Sequence, residues 1–287
     1  MLTAFNPQFV FIHTTPSNDT LVTALSSLAL WLMVSQVRHG VTVRGVALLS
    51  VLMAAAALTK TSGLALYPSV AAGLAWACWR DRVPLRRVML YALMGLGAFV
   101  VIAGWWYVWN WQTLGDVTAN AQVAAVTGAR ATPPTWAELL FELGGILYSF
   151  WGVFGWFNIT APPLYYTLIL LMSGIAAAGL AWGAWRERAR LHRLGAMWGV
   201  LLLHLALFCA AWFSFHLQVN AAQGRLFFPL LVILMPLMAY GLSQWARLVP
   251  AVALTSLFLS VLLIPPLVIA PEYRGEAPHL AESFRPP

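Results

Sequence analysis

Eight long apolar stretches run along this chain, and nearly all of its arginines fall in every second gap between them. That alternation leaves little freedom. Such stretches cross a bilayer as helices, and basic gaps stay on the cytoplasmic side. The stretches run from Leu21 to Val37, Gly45 to Thr59, Gly63 to Ala77, Val88 to Val108, Pro163 to Trp185, Leu194 to Phe215, Leu226 to Leu242 and Val249 to Ile269. One set of gaps holds Arg38, Arg44, Arg80, Arg82, Arg86, Arg87, Arg186, Arg188, Arg190, Arg193 and Arg247 against the two acids Asp81 and Glu187. The other holds Lys60, Arg130, Arg225, Arg274 and Arg285 against Asp19, Asp116, Glu138, Glu142, Glu272, Glu276 and Glu282. The first set is therefore expected in the cytoplasm, with both termini outside and eight crossings between them.

Composition agrees with a membrane class. Hydrophobic residues make up 61% and charged residues 9% of the 287 residues, against roughly 25% charged in a soluble domain. The net charge of +7 does not point to nucleic acid, because the basic residues flank apolar spans and form no basic domain. Cys78 and Cys209 both fall inside apolar stretches and read as small core residues. The first twenty residues lack a basic n-region and carry Pro7, His13, Pro16 and Asp19, which does not fit a cleavable signal peptide. The expected fold is an all-α polytopic bundle. One transmembrane domain covers residues 1–270, and residues 271–287 form an external tail. The second and third stretches are separated only by Lys60, Thr61 and Ser62. They read either as a tight hairpin of two short helices or as one long element broken at Lys60. Two helices keep the charge alternation consistent.

The largest arginine-poor gap, from Trp109 to Pro162, is long and apolar, as a segment that caps something would be. Ala131 to Thr135 reads as a turn. Trp136 to Phe150 reads as an interfacial helix with Glu138 and Glu142 on one face. The run Trp151, Phe154, Trp156, Phe157 suits an aromatic belt at the bilayer edge.

Six features of the arginine-poor side carry candidate chemistry. Asp19, beside Asn18 at the mouth of the first span, is either a helix cap or an acid that orients or deprotonates an acceptor. Lys60 has no basic neighbour, and either snorkels to headgroups or holds a phosphate. Trp106 and Asn110 close the fourth span, and Trp151 and Trp156 open the next. Their rings could stack on a sugar face. His216 ends the sixth span, as an interfacial side chain or a base. Gln223 and Arg225 lead into the seventh, where a guanidinium matches phosphate oxygens in a fork. No Walker, Rossmann or zinc motif is present. The set suits a phosphate-bearing headgroup whose apolar tail lies between helices.

The stretches Phe5-Asn6-Pro7-Gln8-Phe9, Asn18-Asp19, Leu58-Thr59-Lys60-Thr61-Ser62-Gly63, Trp105-Trp106-Tyr107 with Asn110-Trp111, Trp151-Gly152-Val153-Phe154-Gly155-Trp156 and Gln223-Gly224-Arg225-Leu226-Phe227-Phe228-Pro229 resemble the bacterial GT-C fold glycosyltransferases. The nearest type is dolichyl-phosphate-mannose-protein mannosyltransferase-like. The resemblance implies a polyprenyl-phosphate-linked sugar as donor, a lipid, glycan or protein acceptor, and inversion by direct attack on the external face of the plasma membrane. It implies that Asp19 is the second of the family's two acids. It also implies that a first acid belongs to a loop before this chain's start, so the sequence reads as the middle and C-terminal part of a transferase. A divalent metal is an option in such enzymes, although no close acid pair marks a site. Two other classes remain open: a transporter or flippase of an amphipathic lipid, for which His204 is the clearest mid-span polar residue, and a non-catalytic membrane scaffold or remnant.

Overall fold

A computed structural model describes residues 1–188 and 195–274. Arg190, Arg193, Glu276, Glu282, Arg285 and most of the expected tail lie outside the described residues. Among the described residues the regular structure is helical apart from one two-stranded hairpin and an isolated bridge between Ala129 and Val219. A short helix α1 (Pro7–His13) precedes α2 (Asn18–His39) and α3 (Val43–Thr59). A 3-10 turn (Thr61–Ala65) leads into α4 (Leu66–Arg80). Helix α5 (Leu85–Phe99) continues through a π-helical turn (Val100–Gly104) into α6 (Trp105–Leu114). Then come α7 (Asn120–Thr127), α8 (Trp136–Gly152), strands β1 (Val153–Phe154) and β2 (Ile159–Thr160), and α9 (Pro163–Arg186). Helix α10 (Gly195–His216) is followed by a 3-10 segment (Gly224–Leu230), α11 (Leu231–Ser243) and α12 (Leu248–Ile264). A π-helical turn (Pro265–Ile269) and α13 (Ala270–Tyr273) close the described chain.

Six of these segments are long and apolar enough to cross a membrane: Asn18–His39, Leu85–Leu114, Pro163–Arg186, Gly195–His216, Gly224–Ser243 and Leu248–Tyr273. The chain is a multi-pass membrane protein. The expected count was eight; the other two stretches are α3 and α4, which are shorter. With 17 residues, α3 rises about 26 Å. It nevertheless matches the depth of α2. At one end Thr42 N–H donates to Gln36 Oε1 at 2.8 Å, and at the other Lys60 pairs with Asp19. Helix α4 returns along α2, and Arg80 Nη1 donates to the Val37 carbonyl at 2.5 Å. The break at Lys60 is thus a true turn between two helices. Lys60 is extended (φ −159°, ψ 141°), and the 3-10 turn begins at once. Gly63 is obligatory there, because a Cβ would collide with the backbone of Ala56 and Ala57.

These contacts sort the charges by end. Arg38, Arg44 and Arg80 lie at one end of the α2–α4 unit, and Asp19 and Lys60 lie at the other. Lipid-facing side chains explain the large exposed apolar area, such as Trp31, Leu93 and Val101.

Two large apolar cores, beside two smaller ones around Tyr91 and Tyr107, hold the described bundle. One gathers Ile12, Phe154, Tyr165, Ile169, Phe228, Leu231, Met235 and Leu257, from α1, the hairpin, α9, α11 and α12. The other gathers Val22, Leu30, Met33, Leu49, Val70, Val200, Leu230 and Ile233, from α2, α3, α4, α10 and α11. The 3-10 segment and α11 contribute to both. Helices α9 and α11 approach backbone to backbone, since a Cβ on Gly179 would strike Gly241 and one on Gly241 would strike Ala176.

Candidate functional site

At the arginine-poor end, three separate segments bring charged groups together. Asp19 stands in the first turn of α2, one residue past the start set by Ser17. Helix dipoles favour an acid there, but the carboxylate is turned sideways to another element. Its Oδ1 is ion-paired with Lys60 Nζ, which the turn after α3 delivers. Its Oδ2 lies 3.9 Å from Arg225 Nε at the start of the 3-10 segment. Arg225 Nε also donates to Gln223 Oε1 at 2.9 Å. The Asp19 side chain is 10% exposed, that of Lys60 26% and that of Arg225 38%. The acid is therefore the buried floor and the two cations form the accessible rim. Two cations against one carboxylate leave the rim net positive, which suits an anion such as a phosphate.

A second polar cluster fastens the long loop to the bundle. Arg130 Nη2 donates to Glu142 Oε2 at 2.6 Å, and Arg130 Nε donates to the His216 carbonyl at 3.2 Å. His216 Nδ1 accepts the Ala221 N–H at 3.1 Å, which places the ring proton on Nε2. That nitrogen lies 2.9 Å from Glu142 Oε2. Trp212 stacks on the His216 ring, with centroids 4.7 Å apart. Farther along α8, Ser149 Oγ accepts the Gly224 N–H at 2.7 Å, which fixes the backbone beside Arg225. The start of α8 carries a capping box: Thr135 Oγ1 accepts from Glu138 N–H, and Glu138 returns to the Thr135 N–H. Those bonds hold the Glu138 carboxyl below its ordinary range. Glu138 and Glu142 thus do different work although they are one helical turn apart.

The structure brings Asp19, Lys60, Gln223 and Arg225 into one constellation, and places the other sequence candidates elsewhere. Asn18 is exposed at the start of α2. Trp106 is partly exposed and stacks on Trp109, with centroids 5.2 Å apart. Asn110 is buried and donates to the Val117 carbonyl at 3.3 Å, bracing the turn after α6. Trp151 is a core residue, 3% exposed, whose carbonyl accepts the Tyr165 hydroxyl. Trp156 is 84% exposed at the tip of the β1–β2 hairpin. The expected aromatic run is therefore split by the hairpin into a packed half and an exposed half. His216 belongs to the loop fastening. Among the described residues, no three His, Cys, Asp or Glu side chains converge with the spacing of a metal site.

One residue beside the constellation was not singled out by sequence reasoning. His13 ends α1, where its Nδ1–H donates to the Phe9 carbonyl at 2.7 Å and its ring stacks on Phe9. Its Nε2 is buried and has no hydrogen-bond partner. Burial pushes its pKa below the ordinary histidine value, while the Phe9 bond and the nearby Asp19 charge pull weakly the other way. The usable signal was Asn6-Pro7. Asn6 caps α1 by accepting the Phe9 N–H, and Pro7 occupies the first helical position.

A family model described as a predicted membrane protein (DUF2142) matches residues 1–234, so the chain belongs to that family. No curated protein and no solved structure matches it.

Proposed function

We propose that this DUF2142 family member is a membrane glycosyltransferase that moves a sugar from a polyprenyl-phosphate donor to a lipid, glycan or protein acceptor. The reaction takes place at the arginine-poor end, and the charge alternation supports that end as the external one. The observation that carries this reading is the convergence of Asp19, Lys60 and Arg225 from three segments of the chain. Lys60 and Arg225 take the phosphate oxygens of the donor. They also stabilise the charge that grows on the phosphate as the sugar C1–O bond breaks. Gln223 and Asp19 hold the Arg225 guanidinium in place. The resemblance to GT-C transferases agrees with both the donor class and the side of the membrane. In this reading the bundle is GT-C-like, with α3 and α4 as two further crossings.

A flippase would line its path with polar side chains near mid-span. His204 is buried there, with Nδ1 2.9 Å from Ser69 Oγ in a contact between α4 and α10 and with Nε2 unpartnered, but one polar side chain does not line a path.

The test is transfer by the protein reconstituted in liposomes with a radiolabelled polyprenyl-phosphate sugar and a membrane-lipid acceptor extract. Asp19→Asn and Arg225→Ala should each lower transfer by about 10²-fold or more, the scale of one lost transition-state charge contact. Wild-type rates in both variants would refute the site. No transfer by the wild type would refute the activity.

A further inference from the structure

Both oxygens of the carboxylate at the centre of the constellation face cations, Oδ1 paired with Lys60 and Oδ2 3.9 Å from Arg225 Nε. A transferase that attacks through an acceptor hydroxyl still needs somewhere for that proton to go. The structure offers another group. His13 donates from Nδ1 to the Phe9 carbonyl, so the ring tautomer leaves the Nε2 lone pair free. That lone pair is buried and meets no donor in the protein. A buried polar atom without a partner costs free energy and calls for an explanation, such as a role in chemistry. The ring cannot swing away, since it is clamped between Phe9, with centroids 3.8 Å apart, and Phe228, 5.9 Å away.

The surroundings favour a base. Helix α1 meets α8 through the Asn6 bond to the Phe150 carbonyl, α12 through Phe5 on Phe258, and β1 through Phe11 on Phe154. Those contacts are apolar or neutral. The charge acting on His13 is that of Asp19 on α2, which is itself paired with Lys60 and lies 3.9 Å from Arg225 Nε. Burial keeps the imidazole neutral below the ordinary histidine pKa, so the lone pair is present at neutral pH.

We infer that His13 Nε2 is the proton acceptor for the attacking hydroxyl, and that Asp19 is a positioning residue for Lys60 and Arg225. This inference rests on the glycosyltransferase reading. In the step, Nε2 takes the acceptor proton and the freed oxygen forms a bond to sugar C1. The C1–O(phosphate) bond breaks, and its electron pair leaves on polyprenyl phosphate, held by Lys60 and Arg225. The imidazolium then gives its proton to water that reaches Nε2 as the products leave.

The experiment measures transfer from pH 5 to pH 9 by the full-length protein in liposomes, for the wild type, His13→Gln, His13→Ala and Asp19→Asn. The wild type should lose transfer as pH falls through the depressed His13 value. Both His13 variants should transfer about 10²-fold more slowly, with that acid limb gone and the donor KM unchanged. Added imidazole should restore rate to His13→Ala. Asp19→Asn should raise the donor KM and keep the acid limb. Transfer by His13→Gln with the wild-type rate and pH profile overturns the inference and leaves the proposed function standing. An acid limb that disappears in Asp19→Asn and persists in the His13 variants returns the base role to Asp19. Absence of transfer by the wild type at every pH overturns the proposed function and this inference with it.

Discussion

Gly224→Ala should separate the loop helix from the segment that carries Arg225. A Cβ at Gly224 would lie closer than 3.0 Å to Phe150 N, Phe150 Cα and the Ile146 carbonyl oxygen. All three are backbone atoms inside α8, so no side chain can rotate away. Forcing extra volume into a packed contact costs about 1–3 kcal/mol. The displacement also lengthens the 2.7 Å bond from Gly224 N–H to Ser149 Oγ, worth about 1 kcal/mol. The expected destabilisation is about 2–4 kcal/mol, read from equilibrium unfolding in mixed micelles. The control is Gly145→Ala on the same helix. Its Cβ would meet only the Ala222 oxygen at 3.7 Å and the Ala222 Cβ at 3.9 Å, both ordinary contacts. Inside a helix that substitution gains about 0.5–1 kcal/mol. The two glycines therefore predict effects of opposite sign from neighbouring turns of one contact. Equal stability of Gly224→Ala and wild type would refute the reasoning, as would a loss no larger for Gly224→Ala than for Gly145→Ala.

Three further outcomes follow from other contacts. Glu142→Ala removes the acceptor of Arg130 and the neighbour of His216, and should cost about 1–3 kcal/mol, visible as faster proteolysis at residues 128–135. Gly241→Ala drives a Cβ into the Ala176 carbonyl and should cost about 1–3 kcal/mol, measured by the same unfolding assay. The Asp116 carboxyl accepts N–H bonds from Ala121 and Thr118, which hold its pKa below the ordinary carboxylate value. Its contribution to the turn is therefore present above about pH 4 and lost as pH falls through the lower folded value. Amide protection at residues 118–121, taken relative to intrinsic exchange at each pH, should fall only in that acid window, and Asp116→Asn should lack that fall.

Six of the eight expected spans coincide with helices long and apolar enough to cross a membrane, because long apolar runs admit one structure in lipid. Trp136–Gly152 also follows its expected helix, since Thr135 and Glu138 announce its start. What pattern could not supply was partnership. Glu138 and Glu142 share a helical face by spacing, yet one bonds its own cap and the other reaches across the chain to Arg130. Trp151 and Trp156 look alike in a tryptophan-rich run, and a positive φ of 63° at Gly155 turns the chain between them. The meeting of Asp19 with Lys60 depends on α3 matching α2 in depth, which no local signal encodes. Helix α7, eight residues of mild character, had no strong period to announce it.

The sharing of the 3-10 segment and α11 by both cores has a consequence for the constellation. Asp19 and Lys60 are carried by the core that contains Val22, Leu49 and Val70, whereas His13 is carried by the one that contains Ile12, Phe154 and Phe228. Arg225 rides on the strut that joins them. The cluster is thus assembled across a seam, and its spacings record the alignment of two packed bodies. A volume change deep in either body, far from any charged atom, will be felt at the 3.9 Å gap between Arg225 and Asp19 as a change of register.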